Sequence, residues 1–250
     1  MTRLAGNPSS LPKRLYRLAA LRADADRFVV LLDGKPANTR AHRELGAASK
    51  ALADAMVDEW NVQIGVIDFA AMPMSRFQLT AIDRGDADAS DWRAATLAFM
   101  MSDLVCYRAA SPADLAARQA AAWDPLMVWA RTIGIALTAG TSAAFIDQPE
   151  AALIAASAAL DAASPAELLG IKTAAEISGS AVIALALWRG AFAAERLFEA
   201  SRIDEDYQAE KWGADADAES RVRLLRRDFL DAARYLSLTS PGASSTTGAG

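Results

Sequence analysis

The side chains best suited to chemistry are carboxylates grouped late in the chain. Asp204, Glu205 and Asp206 are consecutive, and Glu210 follows on the same predicted helix. Carboxylates of this kind can act as general acid and base or bind a divalent cation. Neighbouring positions on a helix point in different directions, however, so three consecutive acids make a poor metal cage. We therefore expect no metal site, and a carboxylate-based enzyme using these residues remains an alternative.

The same helix has a face suited to recognition. Four side chains share it at spacings of four, three and four residues: Ser201, Glu205, Gln208 and Trp212. A carboxylate and an amide beside a large aromatic ring can bind another protein through hydrogen bonds and apolar contact. A solvated face, with Arg202 and Lys211 as local ion-pair partners, is the alternative interpretation.

The other catalytic options are few. The chain has one histidine, His42, in a charged stretch where we expect a solvated side chain. Its one cysteine, Cys106, lies in an apolar segment, which favours a buried and inert thiol. Neither a G-x-x-x-x-G-K nor a G-x-G-x-x-G sequence is present. These observations favour a protein that is not an enzyme and uses no cofactor.

The composition argues against several classes of function. The 250 residues include 26 basic and 31 acidic side chains, with a formal net charge of −5, whereas a nucleic-acid surface needs a basic footprint. The longest clean apolar run, residues 181–188, is far shorter than the roughly 20 residues of a membrane-spanning helix. The first residues lack the apolar stretch of a secretory signal. We expect a cytoplasmic protein with no nucleic-acid partner and no membrane insertion.

The elements that must position these residues begin with a small antiparallel sheet. Residues 15–18 and 28–32 have the composition of strands. Asp33-Gly34 follows directly and is a strong hairpin signal, because both residue types tolerate a positive φ. The partner strand is expected over residues 35–39. Asp33 and Gly34 therefore have a structural role.

After residue 48 the apolar positions recur mostly at helical spacing. One short strand is predicted at residues 64–69. Helices are predicted to begin at Ser49 and at Met72-Pro73, and to cover residues 90–107, 111–133, 148–163, 164–190, 193–212 and 217–238. Trp60 and Trp123 lie on apolar stripes of these helices, so we expect both to have structural roles.

The pattern as a whole predicts an α+β fold. A small β-rich domain is expected over residues 1–75 and a larger all-α domain over residues 76–238. The last residues, SPGASSTTGAG, are small and polar without an aromatic side chain, so residues 239–250 are expected to be a disordered tail.

Seven groups of residues occur in one order along the chain. They are PKRLY at 12–16, LLDGKP at 31–36, EWNVQ at 59–63, MPMSR at 72–76 with TAIDR at 80–84, DLVCYR at 103–108, Gln119 with WDP at 123–125, and SRIDE at 201–205 with Gln208 and WG at 212–213. Together they resemble the assembly-chaperone family for the catalytic head of the F-type ATP synthase, in particular its members that bind the alpha subunit.

This resemblance implies a β-rich N-terminal domain, a helical C-terminal domain and a function without catalysis. The protein would bind the unassembled alpha subunit and shield the surface that later packs against the beta subunit. An obligate subunit interface is large and apolar, so a lone subunit exposes an aggregation-prone patch. A helical scaffold protein with a different partner remains an alternative.

The resemblance also implies roles for individual residues. The family's acidic helix segment is functionally important and corresponds to residues 204–206. We expect Glu205 to be the main partner-binding residue, because it shares a face with Gln208 and Trp212, and Asp204 to come second. All four are candidate binding residues.

Two further residues receive roles from the same resemblance. Arg76 is a candidate partner for a carboxylate across the domain junction. Trp60 matches a family position where substitution is damaging, and its helix context predicts a role in folding, not direct contact with the partner.

Overall fold

The computed structural model of the chain describes residues 11–141, 144–213 and 215–239. Within these residues a small antiparallel sheet precedes a series of helices, so the predicted α+β class is confirmed. The predicted tail lies outside the described residues, except for Thr239, which ends the last helix.

The sheet is built around one central strand. It consists of β1 (Ala19–Ala23), β2 (Phe28–Leu32), β3 (Lys35–Pro36) and β4 (Gly46–Ala47), and β2 pairs antiparallel with each of the others. Asp33 and Gly34 join β2 to β3 with φ angles of 48° and 80°, as a tight turn with positive φ at both positions requires. The predicted hairpin therefore forms, with a second strand shorter than expected.

Two segments predicted as strands have other structures. Residues 15–18 precede β1 and are not part of the sheet. The residues just before them, 12–14, run antiparallel to residues 65–67, with the Arg14 backbone N–H donating to the Gly65 carbonyl at 2.9 Å. Residues 64–69 make only an isolated bridge at Val66 before a 3-10 turn begins. Where the sequence predicts two strands, the structure has only a short backbone pairing of residues 12–14 with residues 65–67.

Nine α-helices follow within the described residues. They are α1 (Lys50–Asn61), α2 (Pro73–Met101), α3 (Ala113–Thr132), α4 (Glu150–Asp161), α5 (Pro165–Ser178), α6 (Ala181–Trp188), α7 (Ala194–Ala200), α8 (Ile203–Trp212) and α9 (Ala216–Thr239). The Ser49 hydroxyl caps α1 as predicted. Ser90 does not begin a helix, because α2 continues through it.

Two predicted helices are each divided in the structure. The segment 164–190 is interrupted at Gly179, whose φ of 68° ends α5. The segment 193–212 is interrupted at Ser201 and Arg202, between α7 and α8. Apolar periodicity continues through both breaks, and this is why the sequence predicts continuous helices.

The described chain divides into two compact units. One contains residues 11–86 with 238–239, and the other contains residues 87–237, so the boundary falls within α2. The domain limits predicted from the sequence, after residues 75 and 238, remain a prediction. Among the described residues no helix is both long and apolar enough to cross a lipid bilayer.

The core of the first unit lies between α1 and the sheet. Val29, Val30 and Met56 are fully buried there. Trp60 is 6% exposed, and its ring makes edge contacts with Tyr16 at 5.7 Å and with Phe69 at 6.0 Å between ring centroids. Such aromatic pairs contribute packing beyond the apolar area they bury.

A buried carboxylate orders the start of α2 in the same unit. Glu59 is 7% exposed and accepts the backbone N–H groups of Met74 at 2.7 Å and Ser75 at 2.8 Å. These N–H groups lack partners within the helix, and a negative charge is favourable at a helix N-terminus. Glu59 therefore fixes the direction in which α2 leaves α1.

A second buried carboxylate, Asp103, has the same role in the second unit. It accepts hydrogen bonds from the Ser180 hydroxyl at 2.5 Å, from Val182 N–H at 3.0 Å and from Val105 N–H at 3.2 Å. Burial raises the pKa of Asp103 to about 6, although these hydrogen bonds oppose the rise. Asp103 thereby orders the N-terminus of α6, whose residues 181–187 are all buried.

Candidate functional site

Helix α8 carries the acidic residues and packs against α3 through polar contacts. Asp204 Oδ1 accepts a hydrogen bond from Gln119 Nε2 at 2.6 Å. The amide oxygen of Gln119 accepts the Ala109 N–H at 2.7 Å, which fixes the orientation of the amide. The buried Tyr207 donates its hydroxyl to the Asp114 carboxylate at 2.9 Å, and this bond lowers the pKa of Asp114. One face of α8 is thus attached to α3.

Charged side chains extend this contact at the surface. Glu210 pairs with Arg118 at 2.8 Å, and Lys211 lies 3.7 Å from the Asp114 carboxylate. The cations of Arg118 and Lys211 lie 5.4 Å and 5.0 Å from the centroid of the Tyr207 ring. Exposed ion pairs each contribute little to stability, so the hydrogen bonds of Asp204 and Tyr207 are the contacts that hold α8 against α3.

The preceding helix is attached to α3 by Trp123. This side chain is fully buried, and its Nε1 donates to the Ala200 carbonyl at the end of α7 across 2.7 Å. The guanidinium of Arg108 lies 5.2 Å from the Trp123 ring centroid. Trp123 therefore holds the α7–α8 connection, and it does so from the core position that the sequence predicts.

The opposite face of α8 is open and borders a groove of about 620 Å³ against α9. We call it the α8–α9 groove. Its lining includes Glu205, Gln208 and Trp212 from α8, and Ala218, Glu219 and Val222 from α9. Trp212 is 76% exposed, which is unusual for the largest apolar side chain. The groove therefore combines an exposed aromatic ring with carboxylate and amide groups.

Arg202 sets the electrostatics at one end of this groove. Its guanidinium is mostly buried and lies 3.4 Å from Glu205 and 3.8 Å from Asp206. Partial burial raises the pKa of Asp206, the nearby Arg202 opposes the rise, and the neighbouring Glu205 adds to it. Glu205 and Asp206 both remain more than half exposed, so their carboxylates are accessible to a binding partner.

The structure separates the residues that the sequence places on one stripe. Glu205, Gln208 and Trp212 do line the same groove. Ser201 is instead buried as the residue that ends α7, where its hydroxyl donates to the Phe198 carbonyl at 2.7 Å. Asp204 faces α3 and not the groove, because Gln119 holds its carboxylate.

Arg76 lies in the other unit, on the first turns of α2. It lines a groove of about 480 Å³ together with Arg40, Phe69, Leu79 and Asp83. The lining also includes Arg84, so basic, acidic and apolar side chains all contribute to this groove. The predicted pairing of Arg76 with a carboxylate across the domain junction remains a prediction.

The three consecutive carboxylates diverge, as their spacing on a helix requires. Asp204 is held by α3, whereas Glu205 and Asp206 lie beside Arg202. In the part of the chain that the structure describes, no group of three or more His, Cys, Asp or Glu side chains could hold a metal ion. His42 is exposed, and burial raises the pKa of the Cys106 thiol to about 12.

Sequence reasoning did not identify the residues that position α8. Gln119, Asp114 and Tyr207 belong to helices whose apolar stripes are clear, but the polar contacts between those helices join residues about 90 positions apart. Gln119 belongs to one of the seven residue groups, and its side chain is almost completely buried. A glutamine on an apolar stripe is the signal that could have predicted a buried hydrogen bond.

Comparison with known proteins connects this arrangement to a family. The family model described as ATP12 chaperone protein matches residues 13–131. The solved structure of Atp12 from Paracoccus denitrificans is 30% identical, with a TM-score of 0.87, and the match covers 92% of this chain and 99% of that one. A mutant of the same Atp12p gives a TM-score of 0.88 at 30% identity, with 92% and 98% of the two chains covered.

The chain belongs to the ATP12 chaperone family. The family predicted from the seven residue groups is therefore confirmed, and with it a chaperone of ATP synthase assembly. A further similar structure comes from Agrobacterium tumefaciens and is described as a candidate chaperone. It is 38% identical, with a TM-score of 0.83, and the match covers 92% of this chain and 87% of that one. Residues 13–131 end before α8, so the likeness of this helix to ATP12 proteins rests on the structural matches.

Proposed function

We propose that this ATP12-family chaperone binds the unassembled alpha subunit of ATP synthase and shields its beta-facing apolar surface until the beta subunit replaces it. Family membership supports the assembly role, and the resemblance of the seven residue groups supports the alpha subunit as client. The observation that carries the proposal is the α8–α9 groove, which presents Trp212 at 76% exposure beside two hydrogen-bonding side chains.

The chemistry of this groove fits an apolar client surface with polar edges. Burying the Trp212 ring would remove a large apolar area from water, and tryptophan is enriched among residues that dominate binding energy. Glu205 and Gln208 are exposed on the same face and can bind amide or basic groups of the client. Such a site recognises a mixed surface instead of a single small molecule.

The other predicted binding residues have supporting positions in this proposal. Asp204 acts through Gln119 by holding α8 against α3, so it positions Glu205 and Trp212. Arg76 lies in the first unit and would pair with a carboxylate of the client or of the chaperone itself. The proposal involves no catalytic step, and exchange of one protein surface for another requires no cofactor. We propose the cytoplasm as the compartment where this exchange takes place.

The test uses purified alpha subunit kept apart from beta subunit. We expect the wild-type chaperone to keep the alpha subunit soluble and to form a complex with it, measured by light scattering and by size-exclusion chromatography. Trp212→Ala should weaken this complex about tenfold or more, as for a central interface tryptophan. Leu224→Ala is the matched control, because Leu224 is an exposed apolar residue of α9 that is not among the groove-lining residues.

Two results would overturn the proposal. Aggregation of the alpha subunit at the same rate with and without the chaperone would remove the alpha subunit as client. Equal binding by Trp212→Ala, Leu224→Ala and wild type would remove the α8–α9 groove as the binding site.

A further inference from the structure

The α8–α9 groove has two helical walls, and each presents its residues at helical spacing. On α8 the lining includes Glu205, Ala209 and Trp212, which are four and three residues apart. On α9 it includes Ala218 and Val222, which are four residues apart. A stripe of this period is the surface that one helix offers to another in a packed bundle.

The apolar residues of the groove are mostly small. Ala209, Ala218 and Val222 are half-buried, and Trp212 is the large apolar side chain among them. Short side chains allow two helix axes to approach closely, because the side chains at the contact set the interaxial distance. The groove therefore suits a further helix whose apolar face covers the Trp212 ring.

The groove also continues a face of α9 that the fold covers further along. The buried residues of α9 are all in its C-terminal half: Phe229, Ala232, Tyr235 and Leu236. Ala218 and Val222 precede Phe229 by eleven and seven residues, so these three side chains share one face of the helix. This face is covered at Phe229 and open at the groove.

The charges of the groove indicate what kind of helix it binds. Two guanidiniums and four carboxylates line it: Arg202, Arg223, Glu205, Asp206, Asp215 and Glu219. The α8 wall and the α9 wall each have two of the carboxylates and one of the guanidiniums. The lining therefore has an excess of negative charge on both sides of its apolar residues.

Ion pairs within the lining do not remove this excess. Glu205 and Asp206 share the single guanidinium of Arg202, at 3.4 Å and 3.8 Å, whereas Glu219 lies 3.6 Å from Arg223. Asp215 accepts the Ala218 N–H at 2.6 Å, and this hydrogen bond leaves the carboxylate charged. Each wall thus keeps one negative charge without a cation to balance it.

Charges beyond the lining have the same sign or cancel. Residues 202–223 contain seven acidic and four basic side chains. The next two arginines of α9 have acidic partners, since Arg226 pairs with Glu195 and Arg227 with Asp228. The surface contacts between α8 and α3 also join opposite charges. A segment that complements the groove has basic side chains on both flanks of an apolar face.

We infer that the α8–α9 groove binds an amphipathic helix of the unassembled alpha subunit, with its apolar face on Trp212 and basic side chains beside the carboxylates of both walls. This inference rests on the proposed function and names the form and charge of the client segment. Covering the Trp212 ring supplies affinity, and the two rows of charge orient the bound helix.

Two double variants test the charge of the segment. Glu205→Gln with Glu219→Gln removes one carboxylate from each wall of the groove. Glu210→Gln with Asp217→Asn is the matched control, because these exposed carboxylates belong to the same two helices and are not among the lining residues. Affinity for purified alpha subunit is measured at about 50 mM and about 500 mM salt, together with the thermal midpoint of each protein.

We expect the groove variant to bind the alpha subunit about five- to tenfold more weakly than wild type at the lower salt concentration, with an unchanged thermal midpoint. Its affinity should fall less at high salt than that of wild type, because it lacks charge pairs that salt screens. The control variant should bind as wild type does at both salt concentrations.

Peptides test the form of the segment. Overlapping labelled peptides of about 20 residues, which together cover the alpha subunit, are tested for binding to wild type and to Trp212→Ala by fluorescence anisotropy. Circular dichroism measures the helicity that each peptide gains on binding. We expect the peptides that require Trp212 to have apolar residues at helical spacing, basic residues on both flanks, and a gain in helicity.

Two results overturn the inference and leave the proposed function standing. The basic charge of the segment is wrong if the groove variant and wild type bind the alpha subunit equally at both salt concentrations while Trp212→Ala binds weakly. The helical form is wrong if the peptides that require Trp212 gain no helicity, or if no peptide binds although the whole alpha subunit does.

Two other results overturn both the inference and the proposed function. If wild type does not bind the alpha subunit, neither has a client. If wild type is dimeric and Trp212→Ala is monomeric, with equal binding of the alpha subunit, a second copy of this chain occupies the groove.

Discussion

Gln119 donates a hydrogen bond from Nε2 to Asp204 Oδ1 across 2.6 Å, and this contact fixes the start of α8 against α3. Gln119 is 2% exposed, so its amide and the carboxylate meet where water is largely excluded. Asp204 therefore anchors the acidic helix, whereas Glu205 and Trp212 are exposed and line the α8–α9 groove, where we propose that the client binds.

Replacing Gln119 tests the anchoring role. Gln119→Leu should lower the free energy of unfolding by about 1–3 kcal/mol, because it leaves the Asp204 carboxylate and the Ala109 N–H without their buried partner. Chemical denaturation measures this change. Gln208→Leu makes the same replacement at an exposed position of α8 and should change stability by less than about 0.5 kcal/mol. Equal effects of the two substitutions would contradict the anchoring role.

Charge reversal on α8 separates binding from stability. Glu205→Lys should weaken binding of the alpha subunit about tenfold or more and change the free energy of unfolding by less than about 1 kcal/mol, because the Glu205 carboxylate is more than half exposed and Asp206 stays beside Arg202. Glu210→Lys is the matched control on the face that contacts α3. Titration calorimetry and thermal unfolding measure the two quantities. A drop in thermal midpoint that accounts for the whole binding loss would argue against direct contact by Glu205.

Local sequence signals predicted several elements of the first unit well. The Asp33-Gly34 turn, the Ser49 cap and the helix that begins at Pro73 all follow from single residues with strong backbone preferences. The Ser201 break and the Arg14 pairing did not follow, because each depends on contacts with distant residues. Periodicity places side chains on a face, but the tertiary partner decides which face is covered.

The same limit applies to the candidate site. The sequence correctly placed Glu205, Gln208 and Trp212 on one face, since helical spacing alone determines it. It could not reveal that α3 covers Asp204, which requires the fold of the second unit.

The buried Asp103 predicts a specific pH dependence. Its pKa is about 6 in the folded protein, against 3.8 for the ordinary side chain, so the folded state holds the proton more tightly. The stabilisation from this group is complete below about pH 4 and is lost as pH rises through about 6. Above about pH 6, the resulting loss in the free energy of unfolding is on the order of 3 kcal/mol.

Asp103→Asn isolates this contribution. The substitution removes the titrating group and leaves carboxylates such as Asp114 unchanged, so the difference in unfolding free energy between wild type and variant reports Asp103 alone. We expect wild type to lose stability relative to Asp103→Asn between pH 4 and pH 6, measured by urea denaturation at several pH values. A constant difference across that range would show that Asp103 does not titrate as described.

Substitution by arginine should have opposite effects on folding at Trp60 and at Trp212. Trp60→Arg places a charge without a partner in the core beside Tyr16 and Phe69, so we expect a loss of roughly 3–5 kcal/mol or failure to fold. Trp212→Arg changes an exposed position and should leave the fold intact while weakening client binding. Circular dichroism and denaturation measure both. Normal folding of Trp60→Arg with only binding impaired would show that Trp60 contacts the client.

The most direct test of the central claim is purification of a tagged copy from cells that assemble ATP synthase, with quantification of both catalytic-head subunits that accompany it. We predict enrichment of the alpha subunit without an equal amount of beta subunit, because a chaperone that covers the beta-facing surface binds only the unassembled form. Glu205→Lys should reduce that enrichment, and Glu210→Lys should not. Recovery of the complete ATP synthase, or of neither subunit, would contradict the account.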